Sequence, residues 1–127
     1  IMEMLKLLKD KNAVVGILSN KPDDFVKEIN KTIFNSTLDI AVGQRKGYKV
    51  KPDNTAICEI IKGFNADKNQ CVYIGDSYVD VLTAKNAGIL SVAVTYGFGK
   101  VEETLEYIPD YVCESVSELS DLLISLA

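Results

Sequence analysis

Histidine is missing from all 127 residues. With it go a Ser-His-Asp or Cys-His nucleophile and any histidine-ligated metal. Cysteine is scarce: Cys58, Cys71 and Cys113 are odd in number, form no Cys-x-x-Cys pair and sit among apolar neighbours. That pattern speaks against a disulfide scaffold or zinc site and for small buried hydrophobes. No apolar run approaches the roughly 18 residues of a membrane helix, and the first residues lack the charged-then-apolar layout of a signal peptide. A cytoplasmic protein with no membrane partner is expected. Positive charge is also in short supply, with a net charge of −4 and one local basic cluster, Arg45, Lys46, Lys49 and Lys51. No nucleic acid partner is expected, because a phosphate backbone rewards clustered Lys and Arg. Chemistry in this chain must run on Asp, Ser, Lys and backbone groups.

What remains is an ordinary globular composition, 47% hydrophobic and 25% charged with three prolines, which excludes a disordered chain. The length suits one domain, burying roughly two-thirds of the surface its unfolded chain exposes. Ile1 and the methionines at 2 and 4 open no recognisable leader, and the chain is expected to begin in mid-protein.

Hydrophobic spacing lays out an alternation of helices and strands. Met4, Leu5, Leu7 and Leu8 follow helical spacing over residues 2–10, and Ala13 to Leu18 is a continuous apolar run of strand length. Pro22 suits a first helical turn, with Phe25, Ile29 and Ile33 on one face. Leu38 to Val42 is a strand candidate, and Lys51-Pro52 opens a helix carrying Ile57, Ile60, Ile61 and Phe64. Cys71 to Ile74, Leu90 to Thr95 and Tyr111 to Cys113 are further strands, with helices from Val79 to Ala87, capped by Gly88, and from Val116 to Leu126. Near-continuous apolar strands between helices predict an α/β fold, a parallel sheet with helices on both faces.

Ligands of open α/β sheets bind beyond the carboxyl ends of the strands, where this sequence places Ser19-Asn20-Lys21, Asp76 and Asp80. Ser19 has a plain structural explanation as a helix-capping residue, and a functional one as a donor to a phosphoryl oxygen beside the backbone N–H groups of Asn20 and Lys21. Lys51 is a solvated lysine before Pro52, or an ammonium that offsets charge during phosphoryl transfer. Asp80 completes a capping box with Ser77. That leaves Asp76 unexplained. A carboxylate directly after Gly75 at the mouth of a buried strand suits a hard cation such as Mg²⁺, which takes oxygen ligands and keeps waters.

Taken together, Ile17-Leu-Ser-Asn-Lys-Pro22, Lys51-Pro52 and Ile74-Gly-Asp-Ser-Tyr-Val-Asp80-Val-Leu-Thr-Ala84-Lys-Asn-Ala-Gly88 resemble motifs two, three and four of the haloacid dehalogenase-like hydrolases. The match is to the phosphoglycolate-phosphatase-like branch, which Val94-Thr-Tyr-Gly-Phe-Gly99 and Pro109-Asp-Tyr-Val112 also resemble. The resemblance implies a Rossmann-like three-layer α/β/α fold and Mg²⁺-dependent hydrolysis of a small phosphorylated metabolite through an aspartyl-phosphate. It implies that Ser19 and Asn20 bind the phosphoryl group, Lys51 stabilises nucleophile and phosphate, Asp76 binds Mg²⁺, and Asp80 orients a metal-bound water or Lys51.

The family's first motif, an Asp-x-Asp after the first strand, occurs nowhere in the chain; Asp23-Asp24 and Asp39 lack its spacing. Residues 1–127 are accordingly expected to be the carboxyl-terminal part of a single core domain, without its central first strand and without a cap. Such a chain is expected to be inactive alone and to pair with the missing segment or with a strand-exchanged copy. One alternative is a non-catalytic relative that binds without turnover. Another is a receiver-type signalling domain, but in a receiver the acids precede the Lys-Pro, and here they follow it.

Overall fold

The computed structural model describes residues 1–127. The chain divides into two compact units, Ile1–Tyr48 with Ser120–Ala127, and Lys49–Leu119. Five strands, all paired in parallel, alternate with helices, so the α/β class predicted from the alternation is the observed one.

The first unit opens with α1 (Met2–Asp10), which buries Met4, Leu5 and Leu8 and leaves Leu7 exposed. Strand β1 runs Gly16–Pro22, helix α2 Asp23–Thr32 and strand β2 Ile40–Gln44. β1 therefore starts three residues later than its apolar run and continues through Ser19, Asn20 and Lys21 into Pro22. Pro22 is the N-cap of α2, with φ −52° and ψ 140°, not a residue of its first turn. Gly16, Ile17 and Leu18 pair with Ile40, Ala41 and Val42, after which the register jumps to Pro22 opposite Gln44. The polar residues thus bulge out opposite Gly43. A Cβ on Gly43 would lie 2.4 Å from the Lys21 carbonyl oxygen and 2.7 Å from Asp23 Cα, so only glycine lets β2 approach the bulge this closely.

The face α2 turns inward differs from the expected one. Phe25 and Ile33 are exposed and Val26 is buried, because polar bonds set the rotation of the helix about its axis. Asp23 Oδ1 accepts from Gly43 N at 2.9 Å, Lys27 Nζ donates to Ala41 O at 3.0 Å, and Leu38 N donates to Asn30 Oδ1 at 3.3 Å. Residues 23, 26, 27 and 30 share one helical face, and these bonds hold that face to β2 and to Leu38 just ahead of it. Ile33 lies beyond the last residue of α2.

The second unit contains α3 (Thr55–Gly63), a 3₁₀ turn (Lys68–Gln70), β3 (Val72–Gly75), α4 (Tyr78–Ala87), β4 (Leu90–Val94), α5 (Val101–Glu106) and β5 (Tyr111–Cys113). Helix α6 (Val116–Leu126) starts here, and its residues from Ser120 onward belong to the first unit. α3 begins three residues after Pro52; α5 had no clear apolar spacing to announce it. Strand order is β3-β4-β5. Val92 and Ala93 of β4 are buried, as are Val81, Thr83, Ala84 and Ala87 of α4, and α4 ends at Gly88 in the left-handed conformation, φ 74°. Asp110 closes the β4 side: its Oδ2 accepts from Ser91 N at 2.8 Å, and its own N–H donates to Ser91 Oγ at 3.0 Å.

The strands form two hydrogen-bonded sheets, β1-β2 and β3-β4-β5, where one was expected. β2 and β4 each have three consecutive buried residues, as near-continuous apolar strands should. β1 and β3 have none. Both are edge strands in this chain, and no strand pairs with them on the other side.

Candidate active site at the β3–α4 turn

The site is built around one carboxylate that serves two purposes. Asp80 is the third residue of α4, and its Oδ2 accepts from Asp76 N at 3.2 Å, Ser77 N at 3.3 Å and Ser77 Oγ at 3.1 Å. Those bonds satisfy donors at the helix start, as the capping-box reading of Asp80 requires. The other oxygen, Oδ1, accepts from Lys51 Nζ at 2.6 Å. Helix capping and the grip on Lys51 are therefore both real, one oxygen for each. Gly75 makes room for this: a Cβ there would lie 2.1 Å from Asp80 Cγ.

The pair is largely withdrawn from water, with side-chain exposure of 14% for Lys51 and 10% for Asp80. Burial by itself pulls the Lys51 pKa down, but the phenol of Tyr73 and the hydrogen bond and charge of Asp80 outweigh it and hold the ammonium above the ordinary lysine value. Lys51 is kept in place from the backbone side as well. Asn86 Nδ2 donates to Pro52 O at 2.8 Å, and Asn54 Nδ2 donates to Asn86 O at 2.6 Å. Asn54 thus ties the loop after Lys51 to the last turn of α4, and its side chain makes no cap to α3.

Asp76 follows β3 directly and is held by the loop after β4. Its Oδ2 accepts from Phe98 N at 2.8 Å and Gly99 N at 3.3 Å, and its carbonyl accepts from Thr104 Oγ1 at 3.3 Å. Gly97 and Gly99 are close-approach positions, since a Cβ on either would strike Asp76 at 2.4 Å or 1.8 Å. Oδ2 is thus anchored by the backbone of the loop after β4. No three Cys, Asp or Glu side chains gather into a metal-holding group anywhere in the chain. A single oriented carboxylate oxygen fits Mg²⁺ as one corner of its shell, because that ion keeps several waters and needs one or two protein carboxylates.

Ser19 and Asn20 lie in the bulge of β1, in the first unit. Ser19 Oγ accepts from Lys21 N at 3.1 Å, a short-range turn of the kind serine hydroxyls make. A hydroxyl that accepts one bond retains its O–H as a donor. The acids nearest in sequence have structural partners: Asp23 with Lys27 at 2.7 Å, and Asp39 with Lys9 at 2.5 Å and Val15 N at 2.8 Å. Neither is placed as a nucleophile. The cysteines are all free, and burial raises the pKa of Cys71 and Cys113, which leaves their thiols protonated and inert.

Sequence spacing pointed to Lys51, Asp76 and Asp80, which the second unit brings to one turn. It missed Tyr73, Asn86 and the Phe98 and Gly99 amides. The Gly97-x-Gly99 spacing was the only local signal for the last of these.

The model of the haloacid dehalogenase-like hydrolase family matches residues 1–94. The chain belongs to that family. Among curated relatives it is 33% identical over 127 residues to a phosphoglycolate phosphatase of Colwellia psychrerythraea, covering 99% of this chain and 55% of that protein. It is 31% identical over 125 residues to a phosphoglycolate phosphatase of Vibrio parahaemolyticus, covering 97% and 54%. A pyrophosphatase PpaX of Listeria welshimeri matches at 27% over 94% of this chain and 55% of its own length. Among solved structures, a candidate phosphoglycolate phosphatase from Lactobacillus delbrueckii subsp. bulgaricus superposes with a TM-score of 0.90 at 28% identity, over 97% of this chain and 52% of that one. A haloacid dehalogenase-like family hydrolase from Streptococcus pneumoniae shares the fold, with a TM-score of 0.83 at 23% identity over 95% and 57%. The chain spans about half the length of the curated relatives it matches. This haloacid dehalogenase-like chain thus has the phosphatase branch of the family as its near neighbours.

Proposed function

We propose that residues 1–127 form the phosphate- and metal-binding part of one haloacid dehalogenase-like core that hydrolyses a small phosphomonoester of phosphoglycolate type in the cytoplasm. The observation that carries the reading is the 2.6 Å Lys51–Asp80 pair locked into the turn that begins at Asp76. Lys51 would hold its charge toward the nucleophile and the phosphoryl oxygens, with Asp80 orienting it. Ser19 and Asn20, in their own unit, would donate to phosphoryl oxygens. Asp76 would supply one oxygen to Mg²⁺, which when bound offsets negative charge on the transferring phosphoryl group.

The nucleophile would come from a segment carrying Asp-x-Asp, which this sequence lacks. Its carboxylate oxygen bonds to phosphorus as the ester P–O bond breaks, the leaving oxygen takes a proton from the second acid, and water then cleaves the aspartyl-phosphate. The edge strands β1 and β3 support entry of such a strand, since unpaired edges invite pairing. The missing motif equally supports a non-catalytic binding role for the chain by itself.

The test is release of phosphate from p-nitrophenyl phosphate with Mg²⁺. Residues 1–127 alone should show no turnover, and adding a companion segment with a strand ending in Asp-x-Asp should restore it. Lys51→Met should abolish the restored activity. Steady turnover by a homogeneous preparation of the chain alone, or restored turnover indifferent to Lys51, would refute the proposal.

A further inference from the structure

β3 places Tyr73 and Gly75 on the same side of the strand, two residues apart. Gly75 is the residue that admits Asp80, so Tyr73 stands one step back along the strand beside the same ion pair. Lys51 Nζ lies 5.4 Å from the centre of the Tyr73 ring, and its ammonium is hydrogen-bonded to the phenol. That distance is within the ~6 Å limit of a cation–π contact, so the ammonium lies over the Tyr73 ring as well as within reach of its hydroxyl.

We infer that Tyr73 is a positioning residue for Lys51. Two of the three ammonium donors are then directed by fixed acceptors, Asp80 Oδ1 from the start of α4 and the Tyr73 phenol from β3. A point charge on four rotatable carbons has many rotamers, and two anchors on separate elements reduce them to one. Asp80 alone restrains distance; Tyr73 adds direction. Burial raises the Tyr73 pKa, and the nearby ammonium only partly counters this, so the phenol stays protonated and accepts a bond without giving up its proton. The role rests on the phosphatase reading only for what Lys51 is aimed at.

The test reads the coupling from both ends in the full chain. Titration of the Lys51 ammonium by side-chain NMR should show its midpoint moving down in Tyr73→Phe relative to the parent, and further down in Asp80→Asn. Titration of the Tyr73 phenol by absorbance should show its midpoint moving up in Lys51→Met, because the cation that favours phenolate is gone. A tyrosine that merely fills space would move neither midpoint, and unmoved midpoints, or movement of only one, overturn the assignment. The Lys51→Met arm leaves Tyr73 in place and reports even if Tyr73→Phe fails to fold. Inorganic phosphate that leaves the Lys51 resonance unchanged while both shifts persist would count against the phosphatase reading and support this coupling on its own.

Discussion

Two strand-to-helix turns hold the residues proposed to bind phosphate and metal, and they are built differently. At the β3–α4 turn one carboxylate both starts the helix and holds a buried cation, and three glycines, Gly75, Gly97 and Gly99, bring backbone and acid into contact. At the β1–α2 turn the polar residues bulge from an edge strand: Ser19 bonds to Lys21, while Asp23 bonds to Lys27 and, across to β2, to Gly43 N. The lesson is about preorganisation. A group fixed by bonds from several elements is in position before any ligand arrives. The β3–α4 turn has that property.

The largest expected effect follows from the two aspartates at corresponding places. Asp80→Ala strands Lys51 in a site where both partners are nearly buried, and removing one partner of such a pair costs about 3 kcal/mol. Asp23→Ala removes a partner of Lys27, whose side chain is 53% exposed. Loss of an exposed pair costs about 1 kcal/mol or less, and the Gly43 N–H left without its acceptor adds about 1 kcal/mol, so the total stays below the loss at Asp80. Urea denaturation of the two variants checks the contrast, and equal losses would erase the distinction between the turns.

Next in size are the glycines facing each turn. Gly75→Ala drives a methyl into Asp80, whose carboxylate is tied by several bonds, and Gly43→Ala drives one into the Lys21 carbonyl and the start of α2. Each should cost about 2 kcal/mol by overpacking. Only Gly75→Ala should disturb Lys51, seen as a change in its side-chain NMR resonance.

Much of this arrangement was legible in the sequence, and the failures are instructive. The β3–α4 stretch could be read almost residue for residue, because Gly75, the Ser77-to-Asp80 spacing and Gly88 each have a local mechanism. The first unit read less well. Phe25 and Ile33 had the right spacing for a buried face, yet Asp23 and Lys27 decide the rotation of α2 through bonds to a strand more than ten residues away. Asn30 reaches only Leu38, ahead of β2, and no spacing rule sees the longer bonds. The apolar run of β1 likewise promised a strand covered on both sides, but its residues from Ser19 to Lys21 bulge out of the pairing with β2 and are exposed or half-buried. Tyr73 went unnoticed because a tyrosine in a strand is unremarkable until a lysine 22 positions earlier is seen to end beside it.

The acids of the first unit and the Lys51–Asp80 pair of the second should also fail at opposite ends of the pH scale. Asp23 is held below the ordinary carboxylate value of 3.8 by its hydrogen bonds from Lys27 and Gly43. For Asp39 burial works upward, but Lys9 and Val15 N prevail and its value is also lowered. Lowered carboxylates stabilise fully above their unfolded pKa, and the contribution is lost as pH falls through the folded one. Lys51 is raised above its ordinary 10.5, so its contribution is complete below that value and is lost as pH rises through the folded pKa. Amide exchange followed across pH should show protection falling first around Asp23 and Asp39 in acid and around Lys51 and Asp80 in alkali. Asp53, lowered by its bonds to Thr55, adds an acid-side response confined to the start of α3.

The smallest effect is expected at Phe98, and it separates what a backbone does from what a side chain does. Phe98 sits in the loop that anchors Asp76, but the anchor is its N–H, and its ring is fully exposed. Phe98→Ala keeps the N–H and removes only solvent-facing surface, so stability should change by no more than about 0.5 kcal/mol. The Phe98 and Gly99 amide resonances should keep the downfield shifts expected of hydrogen bonds to a carboxylate. A loss beyond that limit in thermal unfolding would mean that the ring itself is packed, and that the preorganisation of the β3–α4 turn depends on side chains of this loop as well as on its amides.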